Sequence, residues 1–134
     1  MMTHSSETPP TGTRVLVVDD EPLVRWAVAE TLADSGYDVL EAGDAKSALG
    51  FFRGARTDAV LLDLRLPDCN DLAVLSAIRR LSPDTPVILM TAYGSPEVLD
   101  EARRLGAFAI VDKPFELNEI PSLIQKALVS THVH

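Results

Sequence analysis

Short apolar runs and longer amphipathic stretches alternate along the chain. Most of the apolar runs contain no polar residue, which is typical of strands buried on both faces of a parallel sheet. After each run, apolar residues recur at helical spacing. The pattern predicts strands at 13–18, 37–40, 58–62, 87–90 and 107–111, and helices at 22–35, 45–52, 72–81, 96–105 and 117–128.

Five strand–helix units in succession predict an α/β domain with one parallel sheet. Right-handed crossovers then cover both faces of that sheet with helices. We expect one domain over residues 13–130, with a disordered amino-terminal tail at 1–12 and a short tail at 131–134. Pro22 suits a first helical turn, and Asp44 is a candidate N-cap.

Composition narrows the class of protein only a little. The 134 residues carry a net charge of −8, which disfavours direct nucleic-acid binding by this chain. No apolar run approaches a membrane span, and residues 1–10 lack the features of a signal peptide. The single cysteine fits a reducing compartment. We therefore expect a cytoplasmic protein without a membrane association.

Polar residues directly follow four of the apolar runs. They are Asp19, Asp20, Asp63, Thr91 and Lys113. Because the carboxyl ends of parallel strands lie at one edge of a sheet, these side chains are expected to meet in one crevice. Three carboxylates at such close quarters require a cation, and Mg²⁺ prefers this kind of oxygen donor.

The same cluster suits phosphoryl chemistry on a carboxylate. Asp63 is a candidate nucleophile toward phosphorus, and Thr91 and Lys113 are candidate ligands of the phosphoryl oxygens. Taken singly, each residue has an ordinary alternative. Asp19 or Asp20 suits a helix cap, Thr91 a strand position and Lys113 the surface. The Lys113–Pro114 bond is left open between cis and trans, with trans the default.

Four segments surround these residues: VVDDEP at 17–22, LLDLRLP at 61–67, MTAYG at 90–94 and DKPF at 112–115. Together they resemble the receiver domain of bacterial two-component response regulators over about residues 13–130. The segments 91–95 and 106–108 are similar to receivers of the nitrogen-regulation class of enhancer-binding activators. The resemblance implies a doubly wound, flavodoxin-like fold with strand order 2-1-3-4-5 and five helices.

The resemblance also implies roles for the clustered residues. Asp63 becomes the phosphoacceptor, forming a 4-aspartylphosphate with a histidine kinase or phosphotransfer protein as donor. Asp20 and Asp63 would bind Mg²⁺ directly, together with the backbone carbonyl of Arg65, and Asp19 would act through a water molecule. Mn²⁺ could substitute for Mg²⁺.

Thr91 and Lys113 would hold the phosphoryl oxygens. Phosphorylation and dephosphorylation would be self-catalysed, so the chain is not expected to be an enzyme acting on other substrates.

Two positions depart from the family pattern. Ile110 stands where receivers usually carry an aromatic switch residue that couples to the threonine, so the switch set is Thr91, Ile110 and, as a candidate replacement, Tyr93. Asp71 stands where the family commonly has glycine, and Asn70 is a candidate for the positive φ there.

The expected output is a change of the surface over residues 94–111 that controls a partner or transcription. Whether this is a stand-alone receiver or part of a longer regulator is left open, as is homodimerisation. Three alternatives were weighed: a non-phosphorylated adaptor, a flavodoxin-like cofactor binder and a hydrolase of the aspartyl-phosphate type. The Asp-Asp-Glu-Pro turn disfavours the second, because it would repel a cofactor phosphate. Glu21 disfavours the third, because that pattern places a second Asp two residues after the first strand's nucleophile.

Overall fold

Five parallel strands form one sheet in the order β2-β1-β3-β4-β5. The structure is a computed structural model, and it describes residues 12–54, 56–69, 71–92 and 94–132. The predicted strand order is confirmed. The strands are β1 (Arg14–Val18), β2 (Asp38–Ala42), β3 (Ala59–Asp63), β4 (Val87–Thr91) and β5 (Ala109–Asp112).

Helices connect the strands on both faces of the sheet. They are α1 (Pro22–Asp34), α2 (Ala45–Phe51), α3 (Ala73–Leu81), α4 (Pro96–Arg104) and α5 (Ile120–His132), with a 3₁₀ turn at Leu117–Glu119. The side chain of Asp44 accepts a hydrogen bond from the N–H of Ser47, as its predicted N-cap role requires. None of the described helices is long and apolar enough to cross a membrane.

The sheet separates two hydrophobic cores. Successive side chains of a strand point to opposite faces, so Leu16 and Val18 contribute to one core while Val15 and Val17 contribute to the other. The first core contains residues of α2, α3 and α4, and the second contains residues of α1 and α5. Burial on both faces explains why β1, β3 and β4 are almost continuously apolar.

The observed element bounds differ from the predicted ones mainly at the two sheet edges. The strand β2 starts at Asp38 and runs on to Ala42, because an edge strand tolerates exposed polar residues such as Glu41. The strand β5 starts two residues late, since the N–H of Ala107 bonds to the carbonyl of Ala102 at the end of α4. The helix α5 reaches His132, two residues beyond the expected domain end.

Candidate functional site

Three carboxylates meet at the carboxyl-terminal edge of the sheet. Asp19 and Asp20 directly follow β1, and Asp63 is the last residue of β3, the strand beside β1. One carboxylate oxygen from each lies within 4.8 Å of the others. Asp19 is fully buried and Asp63 is 6% exposed, whereas Asp20 faces solvent. The predicted meeting of these three residues is confirmed.

Hydrogen bonds hold Asp19 in place. Its N–H donates to the carbonyl of Ala42 (3.0 Å), and its carboxylate accepts the N–H of Glu21 (2.9 Å). Glu21 itself is the N-cap of α1, which has no side-chain cap bond. The helix-cap alternative for Asp19 and Asp20 is therefore wrong, and Asp19 closes the turn from two residues before the N-cap.

Lys113 brings the one ammonium group that contacts these carboxylates in the described part of the chain. It follows β5 and precedes Pro114 through a cis peptide bond. Its Nζ donates to Oδ2 of Asp19 (2.7 Å), Oε1 of Glu21 (3.1 Å) and Oδ2 of Asp63 (3.2 Å). Burial alone would lower the pKa of Lys113, but the hydrogen bond and attraction of Asp19, with those of Asp63 and Glu21, raise it overall. Lys113 therefore stays charged.

Asp63 is an unusually basic aspartate. Burial raises its pKa to about 6, with the nearby charge of Asp19 acting in the same direction. The N–H of Arg65, which donates to Oδ1 of Asp63 (3.2 Å), and the ammonium of Lys113 oppose the shift without cancelling it. The folded domain thus resists placing a second full negative charge beside Asp19.

The charge balance of the cluster fits a hard divalent cation. Asp19, Asp63 and Glu21 share the ammonium of Lys113, the carboxylate of Asp20 lies beside those of Asp19 and Asp63, and all of these groups offer oxygen. Mg²⁺ takes one or two carboxylates and keeps several waters, which suits a cluster with one exposed carboxylate. A shallow cleft of about 550 Å³ lies over the site, and its lining includes Asp20, Asp63, Arg65 and Lys113.

Thr91 lies close to this cleft without lining it. It ends β4 and is buried, and its carbonyl accepts the N–H of Lys113 (2.8 Å). Because strand side chains alternate, Thr91 points to the face of Leu89, whereas Asp63 points to the face of Leu61. Ala92, the next residue, lines the cleft instead.

The other predicted switch positions lie on the face of Thr91 or outside the described residues. Ile110 of β5 is half-buried, pairs in register with Leu89 and packs against the core that contains α3 and α4. Tyr93 lies outside the described residues, and so does Asn70. The switch role of Tyr93 and the positive φ at Asn70 stay predictions.

Glu21 was missed as a site residue in the sequence analysis. Its carboxylate contacts Lys113, and it lines both the acidic cleft and a second, apolar cleft of about 630 Å³ beside it. That second cleft also includes Leu23, Val24, Phe115 and Leu117. The position of Glu21 directly after the Asp-Asp pair was the available signal.

Comparisons with known proteins agree with this fold. Residues 15–125 match the family described as the response regulator receiver domain. The fold and the match define this domain as a signalling receiver. The chain belongs to the response regulator receiver domain family. The chain is 32% identical over 114 residues to the DNA-binding transcriptional regulator NtrC of Salmonella typhimurium, covering 85% of this chain and 24% of NtrC.

Two curated relatives differ greatly in length. The chain is 41% identical over 115 residues to the regulatory protein AtoC of Escherichia coli, covering 86% of this chain and 25% of AtoC. It is 32% identical over 115 residues to sporulation initiation phosphotransferase F of Bacillus subtilis, covering 86% of this chain and 93% of that protein. The chain thus spans about a quarter of one relative and nearly all of the other.

A solved structure shows the same fold. The receiver domain protein (CheY-like) of Methanospirillum hungatei superimposes with a TM-score of 0.87 at 26% identity. The superposition covers 90% of this chain and 97% of that one.

Proposed function

We propose that this domain accepts a phosphoryl group on Asp63 from a phosphohistidine of a kinase or phosphotransfer protein. The observation that carries the proposal is the position of the Asp63 carboxylate. It lies within hydrogen-bonding distance of Lys113 and beside two further aspartates, at the open end of the sheet. Membership of the receiver family supports the same assignment.

The proposed step transfers one phosphoryl group. An oxygen of the Asp63 carboxylate forms a bond to phosphorus while the bond from phosphorus to the histidine nitrogen breaks. The electron pair of that bond goes to the nitrogen, and the free imidazole takes up a proton. In-line approach and charge neutralisation, rather than acid–base catalysis, dominate this kind of step.

The domain's own residues provide most of the charge control. The ammonium of Lys113 contacts the carboxylate of Asp63. The same ammonium is therefore close enough to bind the phosphoryl oxygens when Asp63 carries the phosphoryl group. We assign Asp20, Asp63 and the Arg65 carbonyl as direct ligands of Mg²⁺ or Mn²⁺, with Asp19 acting through water. When bound, such a cation supplies electrostatic stabilisation of the equatorial oxygens.

The apolar cleft beside the site favours a protein donor. Leu23 and Phe115 line it, and Leu23 is 81% exposed. Trp26, on the same helix, is 60% exposed. An exposed apolar surface next to a charged pocket is typical of a protein contact. We therefore propose that the partner carrying the phosphohistidine docks here.

Coupling to the rest of the surface would run through Thr91 and α4. A Cβ placed on Gly94 would lie 2.6 Å from Leu99 Cδ2 and 3.3 Å from Thr91 Cγ2, so these groups crowd one space. Movement of Thr91 toward a phosphorylated Asp63 would alter the packing of α4. Ile110 lies on the same face and takes part without an aromatic ring. This change would shift the populations of two surfaces over residues 94–111.

The output we propose is control of transcription, through the same polypeptide or a partner. AtoC and NtrC are named as regulators, and this chain covers only 25% and 24% of them. DNA binding by the described domain is not part of the proposal, because the chain carries a net charge of −8. A homodimer and a cytoplasmic location stay predictions.

Labelling with acetyl phosphate tests the phosphoacceptor assignment. The wild-type protein should gain one phosphoryl group, seen by intact-mass spectrometry, only when Mg²⁺ or Mn²⁺ is present. Asp63→Asn should abolish the labelling because the nucleophilic oxygen pair is lost.

Asp58→Asn is the matched control. Asp58 directly precedes the same strand, at the opposite end of the sheet, so the same substitution there should leave labelling intact. Undiminished labelling of Asp63→Asn would contradict the proposal.

A further inference from the structure

Arg25 makes contacts with the backbone of the acidic turn rather than with its carboxylates. It lies in the first turns of α1, and its Nη1 donates to the carbonyl oxygen of Asp19 at 2.7 Å. That oxygen belongs to the peptide group that joins Asp19 to Asp20. Because a peptide group is planar, fixing its oxygen also restricts where the Cα of Asp20 lies.

The guanidinium of Arg25 is itself held from a second side. Its Nε donates to Oε1 of Glu41 on β2 at 3.2 Å, and the Arg25 side chain is 24% exposed. Arg25 therefore bridges α1, the β1 turn and the edge strand. An arginine suits this position because its donors form a rigid, planar fork.

Gly43 leaves room for this bridge. A Cβ at position 43 would lie 3.1 Å from Nη1 of Arg25, which is tighter than ordinary van der Waals contact. The backbone of Gly43 is not in the left-handed region, so conformation alone does not demand glycine there. The close approach of the guanidinium is the steric reason for a small residue.

The remaining backbone atoms of Asp19 are also fixed. Its N–H donates to Ala42 and its side chain bonds to Glu21 and Lys113. Asp20, by contrast, is exposed. The hydrogen bond from Arg25 thus restrains the position of Asp20 by fixing the peptide group that precedes it.

We propose that Arg25 is a positioning residue for the metal site, orienting Asp20 through the Asp19–Asp20 peptide group. This inference rests on the proposed function, because Asp20 is assigned there as a metal ligand. Partners that orient metal ligands typically change metal affinity by about 10–100-fold when removed. Arg25 acts through a backbone group, so we expect a change of about 10-fold.

The proposal is tested by titrating the purified protein with Mn²⁺. Electron paramagnetic resonance measures the concentration of the free ion, and hence the dissociation constant. Arg25→Ala should raise the dissociation constant about 10-fold, and Arg25→Lys should recover part of the loss because one donor can still reach the carbonyl. Gly43→Ala should weaken binding in the same direction by less, since it displaces the guanidinium without removing it.

Arg56→Ala is the matched control. Arg56 also combines a carboxylate with a backbone carbonyl, pairing with Asp58 (3.2 Å) and donating to Gly12 (2.6 Å), but at the opposite end of the sheet. Its loss should leave Mn²⁺ affinity unchanged. If both alanine variants lose thermal stability but only Arg25→Ala binds Mn²⁺ more weakly, the loss of stability does not explain the weaker affinity.

A second readout separates positioning from damage to the reaction. In Arg25→Ala, the Mg²⁺ concentration that gives half-maximal acetyl phosphate labelling should rise about 10-fold, while the rate at saturating Mg²⁺ should return close to that of the wild type. A lowered maximal rate with an unchanged half-saturating concentration would overturn the proposal.

The outcomes also separate this inference from the proposed function. If the wild type binds Mn²⁺ and is labelled while Arg25→Ala binds Mn²⁺ equally well, the role of Arg25 is wrong and the receiver function stands. If the wild type binds no Mn²⁺, the metal assignment of Asp20 is wrong and the role of Arg25 falls with it.

Discussion

At the carboxyl ends of the strands, four carboxylates lie close together and three of them contact the ammonium of Lys113, whereas the amino ends are rich in arginine and hydroxyl groups. At the amino ends, Asp58 accepts the N–H of Arg14 (2.8 Å) and pairs with Arg56 (3.2 Å). The hydroxyl of Thr85 donates to the carbonyl of Thr57 at 3.0 Å. Buried polar groups thus occur at both ends of the same sheet.

The difference between the two ends lies in where their partners come from. The carboxylate of Asp58 and the hydroxyl of Thr85 find partners within the described chain, and Arg56 balances the charge of Asp58. At the other end, Lys113 contacts Asp19, Glu21 and Asp63 at once and cannot neutralise them all. An excess of buried negative charge is costly unless a cation compensates it. Binding of a cation or attachment of a phosphoryl group therefore changes the charge balance at the carboxyl end of the sheet.

Removing Lys113 gives the sharpest test of this contrast. Without Mg²⁺, Lys113→Met should lower the free energy of unfolding by about 4 kcal/mol at pH 7, because it leaves the buried charge of Asp19 unpaired. Urea unfolding should show that Mg²⁺ restores a large part of the loss. Arg56→Met at the amino end should cost less than about 1 kcal/mol, since that side chain is exposed. If the stability lost in Lys113→Met were the same with and without Mg²⁺, the electrostatic explanation would be contradicted.

The pKa of Asp63 gives the next largest effect. Its folded pKa of about 6 lies above the ordinary value of 3.8, so the folded state holds a proton that the unfolded state has already lost. Without metal, this group should therefore reduce stability as the pH rises from about 4 to 6. Asp63→Asn mimics the neutral carboxyl group. It should exceed the wild type in stability by up to about 3 kcal/mol at pH 7 and match it near pH 4.

Urea unfolding of both proteins at a series of pH values, in the presence of a chelator, measures this difference. Asp58→Asn serves again as the control from the amino end. A stability difference between Asp63→Asn and the wild type that stays constant from pH 4 to pH 7 would show that Asp63 is not destabilised by ionisation.

The grouping of the acidic residues and Lys113 could be predicted from the sequence because strand ends and side-chain chemistry are both local features. Asp19, Asp20, Asp63 and Lys113 each follow an apolar run, and a parallel sheet then determines that they meet. The structure adds the distances between side chains that the sequence already predicts to lie together. The strand order was predicted by the resemblance and is confirmed.

Other features depend on tertiary contacts that no local pattern contains. The position of Glu21 directly after the Asp-Asp pair places it near the site, but its contact with Lys113 depends on the fold. The contact of Arg25 with the carbonyl of Asp19 likewise depends on the fold. That Ala92 rather than Thr91 lines the cleft depends on where β4 ends, which the sequence pattern does not fix to one residue. The cis bond before Pro114 is likewise a property of the folded chain.

The smallest effect is expected at the amino end. Thr85→Val keeps the size of the side chain but removes the hydroxyl that donates to Thr57 and contacts Ser82. The free energy of unfolding should fall by about 1–2 kcal/mol, because each of the two hydrogen bonds that are lost is typically worth about 1 kcal/mol net. Because no excess charge is involved, urea unfolding should show the same loss with and without Mg²⁺ and at pH 4 and pH 7. A loss that changed with Mg²⁺ would mean that the two ends of the sheet are coupled, and the contrast drawn between them would no longer hold.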